Sequence, residues 1–351
     1  MDAPSGTRIP ARGALSISPV GRLACAGVTT AALLPLPAID VHRARVEDEL
    51  RRSVASDDPF LTEVASHLIE AGGHRWRPTL AVGAALAAGA DVTAEVVLGA
   101  CSVELVHLGS LYHDDVIDEA PTRRTVESVN ARWGNLMAIV AGDFLLARAS
   151  EIAASLGTEV AGLLAATIGR LCEGEVRELR AAFQTSRTED AYFSSISGKT
   201  ASLLAAACRI GALVTAQPRP QVEALTAYGE AFGTVFQIVD DIKDLVLSAA
   251  DLGKPAGHDL VEGVYTLPVL RALAMPEAGA ELRALLGRPI ERPEADKARA
   301  IVVESGGVES AVLTARQWAD RARSALEPLG GRPEVDMLGR LGHVLLDRLP
   351  A

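Results

Sequence analysis

Apolar positions recur every three to four residues from Ile39 to the end of the chain, which is the spacing of amphipathic helices. Asp58-Pro59 marks the start of one helix, and Gly72-Gly73 marks its end. Helices are predicted over residues 40–56, 59–71, 91–113, 128–155, 158–184, 188–214, 218–247, 265–285, 293–304, 307–326 and 333–348, with a further one from Pro78. No run alternates as a half-buried strand would. The pattern therefore predicts an all-α fold, with one large helical domain over residues 39–351.

The first 38 residues lack this periodicity and mix Pro, Gly, Ser and Arg, so we expect a mobile N-terminal extension. Its most apolar stretch, residues 23–37, is interrupted by Thr29 and Thr30 and is too short to span a bilayer. It also does not match a signal peptide. We therefore expect a cytoplasmic protein without a transmembrane segment.

Composition narrows the class of protein. Apolar residues make up 49% of the chain and aromatic residues only 4%, which favours helices over strands. The formal net charge of −11 argues against a nucleic-acid partner, because such a partner needs a basic surface. The four cysteines lie far apart without a CxxC pair, which is typical of buried thiols in a reducing compartment.

Two clusters of aspartates share one spacing. Asp114, Asp115 and Asp118 form the first, and the same DDxxD spacing returns at Asp240, Asp241 and Asp244. On a helix, positions i and i+4 share a face, so each cluster sets two carboxylates one above the other. One such cluster could be a solvated acidic helix end. Two identical clusters, each at the end of an apolar run, instead indicate a Mg²⁺ site, because Mg²⁺ binds carboxylates together with substrate phosphates.

Basic residues near these clusters offer complementary charge. Taken singly, each is an ordinary surface charge, but together with two acidic clusters they indicate a site for two diphosphates. These residues are Arg75, Arg77, Arg123, Arg124, Lys199 and Lys254.

The chain resembles the trans-type polyprenyl diphosphate synthases, also called isoprenyl diphosphate synthases. The matching segments are GGHRWRP at 72–78, LVHLGSLYHDDVID at 105–118, TRR at 122–124, NARWGN at 130–135, AGDFLLA at 141–147, SGKTASLL at 197–204, GTVFQIVDDIKD at 233–244 and GKPAGHDLVEGVYTLP at 253–268. The paired DDxxD motifs, with FQ before the second, are highly specific. The resemblance implies a large helical barrel that condenses isopentenyl diphosphate head-to-tail with an allylic diphosphate.

It also implies roles for individual residues. Mg²⁺, expected as three ions, would be bound through Asp114, Asp118, Asp240, Asp241 and Asp244, with Asp115 in support. Arg123 and Lys254 would bind the allylic diphosphate, and His74, Arg77, His107 and Arg124 isopentenyl diphosphate, with Arg75 as a further substrate-binding residue. The Lys199 carbonyl, the Thr200 hydroxyl and the Gln237 amide oxygen would stabilise the allylic carbocation.

The chain departs from the family pattern at three positions. His74 stands where the family usually has Lys, and histidine is only partly charged near neutral pH. Thr125 follows the Arg pair in place of Gly, and a second Lys is missing near Val264. These departures leave open a catalytically weak diphosphate-binding partner subunit. A class I terpene cyclase is a further alternative, but it would need the second Asp cluster to be structural.

Product length is expected to depend on residues before the first Asp cluster. Gly109 and Ser110 are small where short-chain enzymes of the family carry an aromatic floor, and Leu105 and Val106 lie one turn further along. This predicts a tunnel open to a C20 or longer product. The alternative is that Gly109 and Ser110 only allow close helix packing. By resemblance we also expect a homodimer, with a heteromeric assembly and transient contact with a membrane surface as further possibilities.

Overall fold

The computed structural model describes residues 37–248 and 256–350. We number its elements in chain order. The first half contains α1 (Pro37–Ser53), α2 (Pro59–Glu70), α3 (Trp76–Ala87), α4 (Ala94–Ile117), β1 (Thr122–Arg123), β2 (Val126–Glu127), α5 (Val129–Trp133), α6 (Asn135–Ser155) and α7 (Thr158–Ala181). The second half contains α8 (Glu189–Ile196), a π-turn (Ser197–Ala201), α9 (Ser202–Leu213), α10 (Arg219–Val246), α11 (His258–Val261), α12 (Leu267–Ala274), α13 (Pro276–Leu285), α14 (Arg292–Glu304), α15 (Gly307–Ala325), a 3₁₀ turn (Glu327–Leu329) and α16 (Pro333–Leu346). Residues 1–36, nearly all of the predicted extension, lie outside the described residues.

The predicted all-α fold is confirmed, with a small exception in the loop after α4. Strands β1 and β2 pair there as an antiparallel hairpin. Its two turn residues, Arg124 and Thr125, have φ values of 53° and 67°. Positive φ at both central positions is typical of the tight turns that connect hairpins. Strands of two residues are too short to show an alternating pattern in the sequence.

Helix boundaries follow local signals where those signals are strong. The Asp58 carboxylate caps α2 by accepting hydrogen bonds from the amides of Phe60 and Leu61 at 2.9 and 3.4 Å. The predicted cap at Asp91 is wrong, since α4 begins at Ala94 with Thr93 as its N-cap. The predicted helix 128–155 is broken at Gly134, whose φ of 87° no helix accommodates.

Buried apolar side chains form one connected core that extends from Ile39 to Leu346. Within it, α4 packs against α3, α6 and α9, and α10 packs against α9 and α15. By length and composition alone α4 would pass as a membrane span, but 67% of its most apolar window is buried inside the protein. Helices α4 and α10 therefore pass through the core, and each ends at one of the two Asp clusters.

A close contact with α7 fixes the position of the π-turn. A Cβ added at Gly174 would lie 2.4 Å from the backbone nitrogen of Lys199 and 2.9 Å from the carbonyl carbon of Gly198. Only glycine allows two backbones to approach this closely. The turn that carries Lys199 and Thr200 is thus held against α7 by the absence of a side chain. Short π-turns inside helices are frequent at functional sites.

Gly174→Ala should therefore force α7 away from the π-turn and lower the free energy of unfolding by about 1–3 kcal/mol, the usual cost of overpacking. Gly162→Ala is the matched control, because a Cβ at this position of α7 meets nothing within 4 Å. It should stabilise the protein by up to about 1 kcal/mol through helix propensity. Urea unfolding of both variants measures the difference, and equal stabilities would contradict the proposed contact.

Candidate active site

The two Asp clusters lie at the C-terminal ends of α4 and α10. Aligned peptide dipoles leave partial negative charge at a helix C-terminus, so carboxylates there raise the local electrostatic energy. Both clusters contribute side chains to one cavity of about 780 Å³, through Asp114 and Asp118 on one side and Asp240 and Asp241 on the other. The fold therefore brings together the two motifs that the sequence singled out.

Charge in this cavity is strongly unbalanced. Its described lining includes eight carboxylates but only four arginine or lysine side chains. The carboxylates belong to Asp114, Asp118, Glu175, Glu178, Asp240, Asp241, Asp259 and Glu262, and the cations to Arg123, Arg187, Lys199 and Arg292. Like charges held this close oppose ionisation unless a cation offsets them.

Burial and neighbouring charges change the pKa values of individual aspartates in this cavity. Burial raises the pKa of Asp114 to about 7, and the Glu175 and Asp118 carboxylates add to the effect, while Lys199 and Arg123 oppose it. Burial likewise raises the pKa of Asp241 to about 7, against hydrogen bonds from Tyr192 and Gln237 that lower it. A divalent cation would relieve this repulsion. Within the part of the chain that the structure describes, no three His, Cys, Asp or Glu side chains converge as a metal site by themselves.

The second aspartate of each motif already accepts hydrogen bonds from other side chains of the protein. The Asp115 Oδ1 accepts from Arg123 Nε and Nη2 at 2.7 and 2.6 Å, and Asp115 is fully buried. Asp241 is 3% exposed, and it accepts from the Tyr192 hydroxyl at 2.5 Å and from Gln237 Nε2 at 2.8 Å. These two aspartates orient their neighbours, whereas the carboxylates best placed to meet a cation in the cavity are Asp114, Asp118 and Asp240.

Asp244 differs from the other predicted metal ligands in its position. It is 3% exposed and lies outside the lining of the cavity. Its Oδ2 accepts from the Asp259 amide at 3.2 Å, and its backbone carbonyl accepts from the Gly257 amide at 2.7 Å. In the described structure Asp244 therefore connects the end of α10 to the start of α11.

Two glutamates that the sequence analysis missed hold Lys199. Its ammonium group lies 2.5 Å from Glu178 Oε1 and 2.6 Å from Glu175 Oε2. Burial alone would lower the pKa of Lys199, but Glu178 and Glu175 outweigh it and raise the pKa. The two glutamates are three residues apart on α7, directly after Gly174, so their i, i+3 spacing was a signal of one acidic face.

A continuous hydrogen-bond chain orients the groups predicted to face the carbocation. The Thr200 hydroxyl donates to Gln237 Oε1 at 2.6 Å, and Gln237 Nε2 donates to Asp241 as described above. Because the Thr200 proton points at Gln237, the lone pairs of the Thr200 oxygen remain available. Both side chains line the cavity, as the prediction requires.

The residues predicted to bind the second diphosphate form a separate basic cluster beside α4. Arg124 donates to the carbonyls of Leu68 and Gly72. Burial lowers the pKa of Arg77 to about 10, and its Nε is buried without a hydrogen-bond partner among the described residues. Burial and then Arg77, Arg124, Arg123 and Arg75 hold the pKa of His107 well below its usual range. The electrostatic field at His107 is therefore positive, which favours an anion.

His74 lies at the edge of this basic cluster. Partial burial lowers its pKa, and so do the nearby cations Lys243, Arg124 and Arg43. His74 is therefore neutral at physiological pH in this environment, unlike the lysine that usually stands here in the family it resembles.

Arg75 has a different role from the predicted one. Its side chain is 1% exposed and all three guanidinium nitrogens are engaged, with Glu47 at 2.6 and 3.1 Å, Glu104 at 3.0 Å and the Ile69 carbonyl at 2.9 Å. A guanidinium paired in this way is not free to bind a diphosphate. We correct the prediction accordingly: Arg75 joins α1, α2 and α4 in the core.

The predicted tunnel residues also need correction. A Cβ at Gly109 would lie 3.0 Å from the Gly142 carbonyl of α6, so Gly109 allows close helix packing, the alternative considered above. Ser110 is half-buried and donates to the His107 carbonyl at 2.9 Å. Leu105 and Val106 are fully buried, and none of the four lines the described cavity. Lys254, the last predicted substrate-binding residue, lies outside the described residues.

Comparison with known proteins agrees with this geometry. The family model described as polyprenyl synthetase matches residues 58–303. The chain is 39% identical to a nonaprenyl diphosphate synthase of Mycobacterium tuberculosis, over 92% of this chain and 97% of that protein. It is 38% identical to heptaprenyl diphosphate synthase component 2 of Geobacillus stearothermophilus, over 86% and 93%.

A solved structure shows the same similarity in three dimensions. It is a polyprenyl synthase from Caulobacter crescentus complexed with calcium and isoprenyl diphosphate. It superposes on 88% of this chain and 95% of its own with a TM-score of 0.82, at 33% identity. Sequence, fold and the paired Asp motifs thus agree, and the chain belongs to the polyprenyl synthetase family.

Proposed function

We propose that this protein is a Mg²⁺-dependent prenyltransferase that condenses isopentenyl diphosphate head-to-tail with an allylic diphosphate. The observation that carries the proposal is the cavity in which two Asp motifs meet, where eight carboxyl groups face four arginine or lysine side chains, next to a separate arginine cluster. The acidic cavity suits a diphosphate that binds together with a metal ion. The arginine cluster suits a diphosphate that is bound directly by basic side chains.

The relatives bear out the sequence-based prediction of a prenyltransferase with an all-trans product of C20 or longer. Those compared above are a hepta- and a nonaprenyl diphosphate synthase, whose products are built from seven and nine C5 units. We propose a product in this C35–C45 range for the present chain. Gly109 packs against α6, so we do not assign it a role in limiting this length.

The acidic cavity fits Mg²⁺. Its donors are hard carboxylate oxygens, and a cation would favour the ionised form of Asp114, whose pKa is raised by burial and, to a lesser extent, by Glu175 and Asp118. Asp114, Asp118 and Asp240 would hold the ions, which we expect to number three. Bound Mg²⁺ stabilises the negative charge that develops on the departing diphosphate.

The protein itself orients the reactants and excludes water. Arg123, fixed by Asp115, lines the cavity and can bind the allylic diphosphate together with Lys254. The Thr200 oxygen, oriented by Gln237, and the Lys199 carbonyl offer partial negative charge to the allylic carbocation. Apolar side chains, including the buried Ile196, line the same cavity and would reduce the access of water to this ion.

The second substrate would lie on the basic cluster. Arg77, with its unpartnered buried Nε, and Arg124 would bind the diphosphate of isopentenyl diphosphate, with His107 and His74 beside them. The homoallylic double bond then attacks the cation. The proton that the product must lose passes to the released diphosphate, so no protein base is needed.

The alternatives differ in what they consume. A partner subunit would bind diphosphates without elongating them, and the name of the Geobacillus relative, component 2, shows that a multi-component assembly exists in the family. A terpene cyclase would release a hydrocarbon or alcohol without isopentenyl diphosphate. Incubation with labelled isopentenyl diphosphate and C5, C10, C15 or C20 primers, followed by sizing of the products, separates all three.

An exposed apolar stripe on α6 supports association with a second copy. Leu136, Ile139 and Val140 are 74%, 43% and 46% exposed. They lie one helical turn apart, so they share one face, and a two-fold axis would bring the same stripe of two copies together. We therefore propose a homodimer, in the cytoplasm as the sequence predicts. Its long apolar product gives a reason for transient contact with a membrane surface.

Asp114→Asn and Asp240→Asn should each lower turnover by about 100- to 1000-fold, because each removes a carboxylate placed to hold Mg²⁺. Steady-state kinetics at saturating primer measures this. Asp91→Asn is the control, since Asp91 is an exposed aspartate between α3 and α4. Turnover of either motif variant near that of the control would contradict the metal assignment.

His74→Lys should lower the KM for isopentenyl diphosphate, and more so at pH 8 than at pH 6. Partial burial and then neighbouring cations lower the pKa of His74, so the ring is neutral at pH 8 and gains charge only as the pH falls. Lysine is charged at both values. The control His343→Lys changes a surface histidine that is paired with Asp320. A KM ratio that is equal at the two pH values would contradict this role.

Leu136→Glu should convert the dimer into a monomer, because it places a charge on the apolar stripe of α6. Sedimentation velocity of the two proteins at equal concentration measures the change. Leu313→Glu, at a residue of α15 that is 61% exposed, is the matched control and should leave the mass unchanged. A monomeric wild-type protein would rule out the homodimer, and a requirement for a second component would favour a heteromer.

A further inference from the structure

A buried arginine on the cavity wall has no role in the account above. Arg187 lies in the segment between α7 and α8, is 8% exposed, and lines the same cavity as both Asp motifs. Its segment is anchored at Phe183, whose amide donates to the Gly263 carbonyl at 2.9 Å. The position of Arg187 is therefore fixed by the fold.

Most of the hydrogen-bonding capacity of Arg187 is unused. Nη1 donates to the Tyr265 carbonyl at 3.2 Å, and the guanidinium carbon lies 5.6 Å from the centre of the Tyr192 ring. Nε and Nη2 are buried without a hydrogen-bond partner in the described part of the chain. Arg75, an equally buried arginine, has all three nitrogens engaged. A buried donor without a partner destabilises the folded state, so its retention calls for a ligand.

Each of the other three cations in the described lining has at least one protein partner and no buried nitrogen without a partner. Lys199 contacts two glutamates, and Arg123 is paired with Asp115. Arg292 is half-buried and donates to the Ala256 carbonyl. Within the described residues, Arg187 has no carboxylate within ion-pair distance. It is therefore the cavity arginine whose buried donors remain available.

Arg187 lies near the second motif, and its guanidinium favours an anion as the ligand. The ring beneath its guanidinium belongs to Tyr192, whose hydroxyl donates to Asp241. Glu178 and Asp241 attract the guanidinium without pairing with it. An arginine presents two parallel donors that match phosphate oxygens.

We propose that Arg187 binds the diphosphate group of the allylic substrate, and of the released inorganic pyrophosphate, through Nε and Nη2. This inference rests on the proposed function. It adds a diphosphate contact from the α7–α8 segment, on the side of the cavity where α10 ends. Arg123, by contrast, lies on β1, after the first Asp motif.

A structural role makes the opposite prediction for stability. If Arg187 served only to join Tyr265 and Tyr192, its replacement would lower the melting temperature and leave diphosphate binding unchanged. If it is kept for a ligand, replacing the unpaired charge with an apolar side chain of similar length leaves the ligand-free protein as stable as before or more so. Stability and binding then change independently.

The test compares Arg187→Met with wild type and with Arg75→Met, by melting temperature with and without Mg²⁺ and inorganic pyrophosphate. We expect Arg187→Met to keep the ligand-free melting temperature and to lose most of the pyrophosphate-induced rise. Its KM for a C15 primer should increase about tenfold, as for one lost charge-assisted contact, with the KM for isopentenyl diphosphate unchanged. Arg75→Met should lower the ligand-free melting temperature, because it leaves Glu104 buried without its partner.

The outcomes distinguish a failure of the proposed function from a failure of the role assigned to Arg187. A wild-type protein that pyrophosphate and Mg²⁺ do not stabilise would count against the proposed function itself. A wild-type rise that Arg187→Met retains in full would overturn only the role of Arg187. Arg187→Lys, which keeps the charge but not the paired donors, should restore part of the rise. Failure of both the Met and the Lys variants to fold would assign a structural role and overturn the inference.

Discussion

The constraint on which the rest of this structure depends is the presence of carboxylates at the C-terminal ends of two helices, where the helix dipole disfavours negative charge. Helices α4 and α10 pass through the apolar core, and each ends in aspartates where the helix dipole already places partial negative charge. No folding advantage follows from this arrangement. It is stable only because neighbouring groups satisfy some of the carboxylates and because the remaining ones face a cavity that a cation can enter.

The same constraint explains why several aspartates of the site are fixed by ion pairs and hydrogen bonds. Arg123 on the hairpin neutralises Asp115, and Tyr192 and Gln237 each give Asp241 a hydrogen bond. The middle aspartate of each motif is thus held by protein groups, whereas Asp114, Asp118 and Asp240 line the cavity. Lys199 is held by two glutamates of α7, so its ammonium group must exchange partners before it can contact a substrate.

Sequence reasoning could locate residues whose signals are local, and it could not foresee tertiary contacts. The spacing of the Asp motifs is readable along the chain, and the fold brings residues of both motifs, Thr200 and Gln237 to one cavity. Arg75 was misassigned because only the fold shows that Glu47 and Glu104 surround it. For Gly109 the sequence left a tunnel and a helix crossing open, and the contact with α6 favours the crossing. Arg187 stands alone in the sequence, so nothing marked it before its burial was known.

The π-turn between α8 and α9 makes this region sensitive to the number of residues in the chain as well as to side-chain identity. The turn accommodates one residue more than an α-helical turn would, with the Ser202 amide bonded to the Ser197 carbonyl. Deleting a single residue there would let an unbroken α-helix form, and everything on one side would rotate by about 100°. Lys199 and Thr200 would then leave the cavity wall although every surrounding side chain was intact. An alignment gap within this stretch of a homologous sequence would therefore signal a lost site.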